Sequence, residues 1–332
     1  MKTRSHLQTL GIGNHSPQGR SAAWQTRGRS LHGVFLIALT LVSGAVLAAP
    51  PDFCQQAAQD AARSCAEGAR SVYARAAGKC DNIADPAASA ACQKQAAVDY
   101  KDAQTLCGQQ NVLRLGVCQR LGGGTYEPVI DPANFVTTID NPYFPLTPGT
   151  TFVYEGQTSD GFEHVEFAVT HDTKVILGVT CVEIHDSRFI DGVLLEDTRD
   201  WFAQDKAGNV WYFGENTTLV DGGLPVNLGG TWTAGVDGAQ PGFVMKAQPP
   251  VGDFYRQEFS LRNAEDLAEV KSLNVSVTVP YGTFQHCRKT LESSPLAPGD
   301  LENKFYAAGV GNLLTIDLAT GERSELVAII TE

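Results

Sequence analysis

Six cysteines with mirror-symmetric spacing constrain this chain more than any other feature. Cys54, Cys65, Cys80, Cys92, Cys107 and Cys118 are separated by 11, 15, 12, 15 and 11 residues, a series that reads the same from either end. Pairing from the outside inwards joins Cys54 to Cys118, Cys65 to Cys107 and Cys80 to Cys92, and all three pairs centre on Pro86. At about 100° per residue, steps of 11 and 15 turn a helix only about 20° and 60° past whole turns. Each flank therefore carries its cysteines on one stripe. Two antiparallel helices folded about Asp85-Pro86 bring the stripes together as a ladder. Many connectivities are open to six cysteines, and the common centre selects the nested one.

Local signals point the same way. Asp52 with Gln55, and Asp85 before Pro86, are helix-start patterns. Residues 54–118 hold 17 alanines and few large apolar side chains, which favours helix but gives a thin core that covalent staples must support. Without a C-x-x-C pair the spacing does not match known zinc sites. The hairpin reads as a structural appendage or as a cap for a protein partner.

Residues 33–48 form a short apolar run after Arg27, Arg29 and His32, ending in small residues up to Ala48. That pattern predicts a secretory signal peptide over 1–48, cut after Ala48, and a periplasmic or secreted protein with no stable membrane anchor after cleavage. Cysteines in that oxidising compartment normally form disulfides. Lys and Arg number 25 against 37 Asp and Glu, and five of the basic residues lie in 1–48, where no acid occurs. The remainder carries a net charge of -17, which opposes binding to nucleic acid.

Gly122-Gly123-Gly124 ends the helical pattern, and five prolines between 128 and 148 mark 121–150 as a linker and entry segment. From 151 to 332 the sequence turns to β-branched and aromatic runs cut by Gly and Asp. Strands are predicted near 151–157, 162–171, 174–186, 193–203, 209–215, 254–260, 269–279, 284–292, 301–308, 311–317 and 324–331, with turns at Asp160-Gly161, Asp191-Gly192 and Gly208-Asn209. The predicted class is α+β. The domains run 1–48 (signal), 49–120 (Cys-rich helical hairpin), 121–150 (linker) and 151–332, a curved antiparallel meander or half-barrel.

Several stretches carry a resemblance: Asn141-Pro142-Tyr143-Phe144-Pro145-Leu146, Asp200-Trp201-Phe202-Ala203-Gln204-Asp205, Gly208 to Glu215, and Val279-Pro280-Tyr281-Gly282. Over about 141–315 the chain resembles a family of secreted bacterial β proteins of unknown function. Its closing Tyr-Ala-x-Gly-Val-Gly hairpin is similar to the end of lipoprotein-carrier-type folds, in which a curved sheet wraps a hydrophobic cavity. Neither likeness implies catalytic residues.

Standard nucleophile, metal, nucleotide and cofactor motifs are absent from the sequence, and no cofactor or metal is expected. Cys181 and Cys287 form an even remainder, which predicts a fourth bridge. In alternating strands His185 shares a face with Cys181 while His286 lies opposite Cys287, so those histidines do not converge; His164 and His171 read as ordinary sheet residues. The acids of the hairpin around Gly208 allow two registers. A three-residue loop pairs Asp205 with Asn209 and sets Arg199 opposite Glu215 and Trp201 opposite Phe213, a structural arrangement. A four-residue loop instead sets Asp200 opposite Glu215, two carboxylates able to share a proton or act as acid and base. The position of Gly208 favours the first.

The favoured reading is a binding or carrier module for an apolar small molecule or lipid, rather than an enzyme. Its cavity would be lined by Trp201, Ala203, Trp211 and Phe213, with Tyr255, Glu258, Glu302 and Tyr306 as polar groups at the rim. The alternatives are a hydrolase using Asp200 and Glu215, and a structural envelope protein.

Overall fold

A computed structural model describes residues 52–332; the leader and its cleavage point lie outside the described residues. Asp52 starts helix α1 (Phe53–Asp81) by accepting the Gln55 amide at 2.8 Å, and Asp85 starts α2 (Pro86–Leu121) by accepting that of Ala88 at 2.7 Å. A side-chain oxygen at this position satisfies one of the amides that a helix start leaves open. Gly122, with φ +96°, ends α2 in a conformation that suits glycine. The two helices lie antiparallel and carry the nested ladder: Cys54–Cys118, Cys65–Cys107 and Cys80–Cys92, with Cα separations of 5.6, 5.7 and 5.5 Å. Tyr73 stacks on Tyr100 between rungs, their centroids 5.0 Å apart. Three such bridges suit an extracytoplasmic protein.

After the hairpin come a short β1 (Phe135–Val136) and the main run: β2 (Thr150–Thr158), β3 (Gly161–Ile176), β4 (Val179–Ile190), β5 (Val193–Asp205) and β6 (Val210–Asp221). Shorter pieces follow: β7 (Leu224–Asn227), β8 (Trp232–Thr233), β9 (Gln240–Met245), β10 (Phe254–Arg256) and β11 (Glu258–Phe259). The last five are β12 (Leu267–Val279), β13 (Gly282–Ser293), β14 (Leu301–Ala307), β15 (Gly311–Asp317) and β16 (Arg323–Thr331). The predicted strand over 174–186 is in fact the end of β3 and the start of β4. Leu177 and Gly178 have φ of +51° and +80° and form a tight turn without the Asn-Gly or Asp-Gly signature that normally announces one.

All pairings are antiparallel, and the main path runs β10-β12-β13-β14-β15-β16-β2-β3-β4-β5-β6-β9-β11. Its two ends are one segment. Residues 254–256 pair with β12, residues 258–259 pair with β9, and Gln257 spans the seam. The predicted curved antiparallel meander thus curls into a nearly closed barrel, which leaves little unpaired edge. At the seam a Cβ on Gly242 would lie 2.5 Å from the Arg256 carbonyl oxygen, so the backbones approach as closely as glycine permits.

One buried apolar cluster draws side chains from strands all round the barrel, including Phe152, Phe167, Ile184, Phe202, Met245 and Leu313. Residues contributed from so many strands converge only on the concave side of a curled sheet. Ile139, Phe144 and Leu146 of the linker belong to the same cluster. The proline-rich entry segment is thus a plug. Phe144 meets Phe167 and Phe202 edge-on, at centroid distances of 6.3 and 5.5 Å. Asn141 fastens it, donating to the Gly208 carbonyl at 2.7 Å, while Gln204 accepts the amides of Asp140 and Asn141.

The predicted Cys181–Cys287 bridge is not formed; both cysteines are free and buried. Cys181 of β4 belongs to a second apolar cluster, with Trp201, Phe213 and Trp232, whereas Cys287 of β13 packs in the barrel interior. Five strands separate β4 from β13 along the sheet, and a disulfide needs Cα atoms within about 7 Å.

Candidate functional site

The β5–β6 hairpin obeys both registers in turn. At its tip the Asp205 amide donates to the Asn209 carbonyl at 2.9 Å and Gly208 has φ +86°, so Gln204 pairs with Val210 and Ala203 with Trp211. The Asp205 carboxylate fixes the turn by accepting from the amides of Ala207 and Asn209 and from Trp211 Nε1. A β-bulge then intervenes: Phe202 pairs with Tyr212, but Trp201 pairs with Gly214. Gly214 has φ +146°, and a Cβ there would lie 2.5 Å from the Trp232 carbonyl oxygen of β8. Beyond the bulge Asp200 faces Glu215 and Arg199 faces Asn216. The predicted pairs Arg199–Glu215 and Trp201–Phe213 are thereby replaced, because the bulge adds one residue to β6.

Asp200 and Glu215 are both about 1% exposed. The Tyr212 hydroxyl lies between them, 2.5 Å from Asp200 Oδ1 and 2.9 Å from Glu215 Oε2. A phenol has a single proton to donate, so the two carboxyl groups compete for it. Burial first, then the charges of Asp200, Glu215 and Glu258, hold the Tyr212 hydroxyl well above the usual phenol range. Glu258 in turn accepts from Trp232 Nε1 at 2.7 Å.

A second polar group sits across the same interior. Lys304 Nζ lies 2.7 Å from Glu292 and 3.8 Å from Glu302, and the Tyr306 hydroxyl donates to Glu292 at 3.1 Å. Burial alone would lower the Lys304 ammonium, but Glu292 and Glu302 outweigh it and hold the proton more tightly than usual. Between the two groups is a cavity of about 30 Å³, bordered by Phe144, Tyr212, Glu258, Glu292, Lys304 and Tyr306. That admits one or two waters and no organic substrate. Tyr255, Glu258, Glu302 and Tyr306 are all buried, not rim groups of an open cavity: Glu258 and Tyr306 border this small cavity, Glu302 lies beside Lys304, and Tyr255 packs in a separate cluster with Ala268 and Val270.

The expected aromatic lining is packed as well. Trp201, Ala203 and Phe213 are buried in the second cluster with Trp232, Ala234 and Ala239, and Trp211 packs against it. Lys174 lies over the Trp201 ring at 3.3 Å, and Phe243 covers Trp211 with centroids 4.0 Å apart. The histidines are dispersed. His185 meets Asp197 at 3.0 Å, His286 meets Asn274, His164 meets Glu155 and His171 meets Glu332. Among the described residues no group of three or more His, Cys, Asp and Glu side chains is placed to hold a metal ion.

Open space occurs elsewhere, where the hairpin meets the barrel. Arg114 of α2 grips Glu265 through Nε and Nη2 at 2.8–3.1 Å, an ion pair in which both side chains are at most 4% exposed. The Arg262 amide also donates to Glu265, at 2.6 Å, and Gln110 donates to the Leu296 carbonyl at 2.9 Å. Beside this joint lies a pocket of about 340 Å³. Its apolar wall includes Phe53, Ala57, Leu121, Phe259 and Leu261, and Cys54 and Cys118 place the outermost disulfide against it. Arg114, Arg256, Glu265, Tyr126 and Glu127 supply the polar wall. Arg256 lies over the rings of Phe259, at 4.4 Å, and Tyr126, at 5.3 Å. Burial pushes the Tyr126 phenol up to about 12, with Arg256 opposing. Sequence reasoning missed this site because its parts come from the two helix ends and from 124–127, 240 and 256–265, which no motif connects.

No family model and no curated protein matches the chain. Among solved structures it is similar to a Parabacteroides distasonis protein provisionally described as a lipoprotein. The two are 15% identical with a TM-score of 0.30, over 57% of this chain and 98% of that one.

Proposed function

We propose that this is an extracytoplasmic binding or carrier protein for an apolar or amphiphilic small molecule, held between the helical hairpin and the barrel. The observation that carries the reading is the 340 Å³ pocket with a mainly apolar wall and a few convergent polar groups, the usual make-up of a small-molecule site. The barrel interior offers about 30 Å³, so the ligand site is assigned to the joint and not to the concave face. The same comparison weighs against hydrolysis by Asp200 and Glu215, which are enclosed with no room for a substrate. In this reading the ladder has a direct purpose, since its outer rung fixes the ends of α1 and α2 that form one wall.

N-phenyl-1-naphthylamine, a neutral apolar dye that brightens out of water, tests the reading. Saturable one-to-one binding is expected for the wild type. Ala57→Trp and Leu121→Trp, each filling the pocket from a different helix, should abolish it while the far-UV spectrum stays unchanged. Absence of saturable binding to the wild type, or full binding by both folded variants, overturns the proposal.

A further inference from the structure

The charge arrangement in the junction pocket narrows the class of ligand. Glu265 is already engaged by the Arg114 guanidinium and the Arg262 amide. Arg256 is about 7% exposed and makes cation–π contacts to Tyr126 and Phe259, but no carboxylate lies within ion-pair distance of it among the described residues. Arg114 Nη1 is buried and has no acceptor among those residues. Among the buried side chains of the pocket two guanidinium groups thus share one carboxylate, a surplus of one positive charge with donors to spare, which only the exposed Glu127 balances in the lining as a whole. A buried cation without an anion is costly. The carboxylate of Glu127, at the exposed edge of the pocket, is the remaining negative group and opposes a second negative charge on a ligand.

We infer that the pocket takes an apolar monocarboxylate, its carboxylate beside Arg256 and Arg114 and its hydrocarbon body against Phe53, Ala57, Leu121 and Leu261. A planar guanidinium presents paired N–H donors that match a carboxylate edge. Burial lowers the proton affinity of Arg256, but Glu265 opposes that shift, and guanidinium groups remain charged in proteins. A dianionic head would exceed the surplus charge, and a neutral head would leave it unmatched. This inference rests on the pocket being the ligand site. An acyl chain and an aromatic body both satisfy the shared chemistry.

Displacement of N-phenyl-1-naphthylamine from the full mature chain at pH 8 separates the possibilities. Decanoate and 2-naphthoate are compared with decan-1-ol and decyl phosphate. At least one carboxylate should displace the dye at tenfold lower concentration than either decan-1-ol or decyl phosphate, and the stronger of the two identifies an aliphatic or an aromatic body. Arg256→Met, which keeps apolar volume over Phe259, should still bind the dye but lose the tenfold preference; Arg256→Lys should retain part of it. Failure of both carboxylates to displace the dye at lower concentration than decan-1-ol, stronger displacement by decyl phosphate than by either carboxylate, or an unchanged preference in folded Arg256→Met overturns the monocarboxylate assignment while dye binding leaves the carrier reading standing. Failure of the dye itself to bind removes both.

Discussion

Asp200 lies directly opposite Glu215, although the turn that joins their strands pairs Asp205 with Asn209. Those two facts conflict in any regular hairpin. The bulge at Gly214 reconciles them by adding one residue to β6 between the turn and the acids. It also delivers the hydroxyl of Tyr212 to both carboxyl groups.

Gly214→Ala should therefore destabilise the protein. The φ of +146° is rarely open to alanine, and the added carbon would lie 2.5 Å from the Trp232 carbonyl oxygen. Backbone strain of this kind costs about 1–3 kcal/mol, before any movement of β8. Urea unfolding should show a lower midpoint with an unchanged slope. An unaltered midpoint would show that the bulge tolerates a side chain and does not depend on glycine.

Stability should fall steeply above pH 10. Tyr154, Tyr212, Tyr255 and Tyr306 all have hydroxyls held above the usual phenol value, in each case chiefly by burial. In the unfolded chain these phenols ionise near pH 10, while the native state keeps their protons. The unfolded state then binds fewer protons, so stability present below pH 10 is lost as pH rises, by about 1.4 kcal/mol per pH unit for each tyrosine. Tyr212→Phe should make the slope between pH 10 and 11 shallower by about one such increment. Equal slopes in denaturant titrations of wild type and variant would refute the assignment.

Legibility in the sequence followed the range of the interactions. The ladder was readable because a helix converts spacing directly into facing, and Cys54 to Cys118 needed no other information. The Asp191-Gly192 turn was readable for the same local reason. The Gly214 bulge was not, because the close neighbour that calls for glycine there is the Trp232 carbonyl of β8, which is remote in sequence. Nor was the role of Phe144: prolines at 142 and 145 correctly excluded regular structure, but exclusion of a strand does not reveal insertion into a barrel. Aromatics at the consecutive positions Trp201 and Phe202 put one ring on each face of the strand. That pattern cannot distinguish a face covered by protein from one covered by ligand. Arg114 and Glu265 are 151 residues apart and belong to segments that looked independent.

Neither free cysteine should react in the folded protein. Burial pushes the Cys181 thiol up to about 12 and raises that of Cys287, and the thiolate is the reactive form. Titration with a thiol reagent at pH 8, without reductant, should find no reactive groups in the native state and two after unfolding in guanidinium. A count of zero in both states would mean that Cys181 and Cys287 are oxidised.

The plug makes a prediction about what closes the barrel interior. Phe144 is about 6% exposed and fills the interior between Phe167 and Phe202, immediately beside the 30 Å³ cavity that it borders. Truncating a buried phenylalanine to alanine removes contacts and leaves a void, typically at a cost of about 3–5 kcal/mol. Phe144→Ala should lower the urea midpoint accordingly. The void has the size of one phenyl ring and would join a cavity whose other walls include Gln257, Glu258, Asp266, Glu292 and Lys304, so it stays too small and too polar for N-phenyl-1-naphthylamine. Dye stoichiometry should therefore stay at one while the urea midpoint falls. An unchanged midpoint in Phe144→Ala would show that the packed cluster closes the interior without help from the plug.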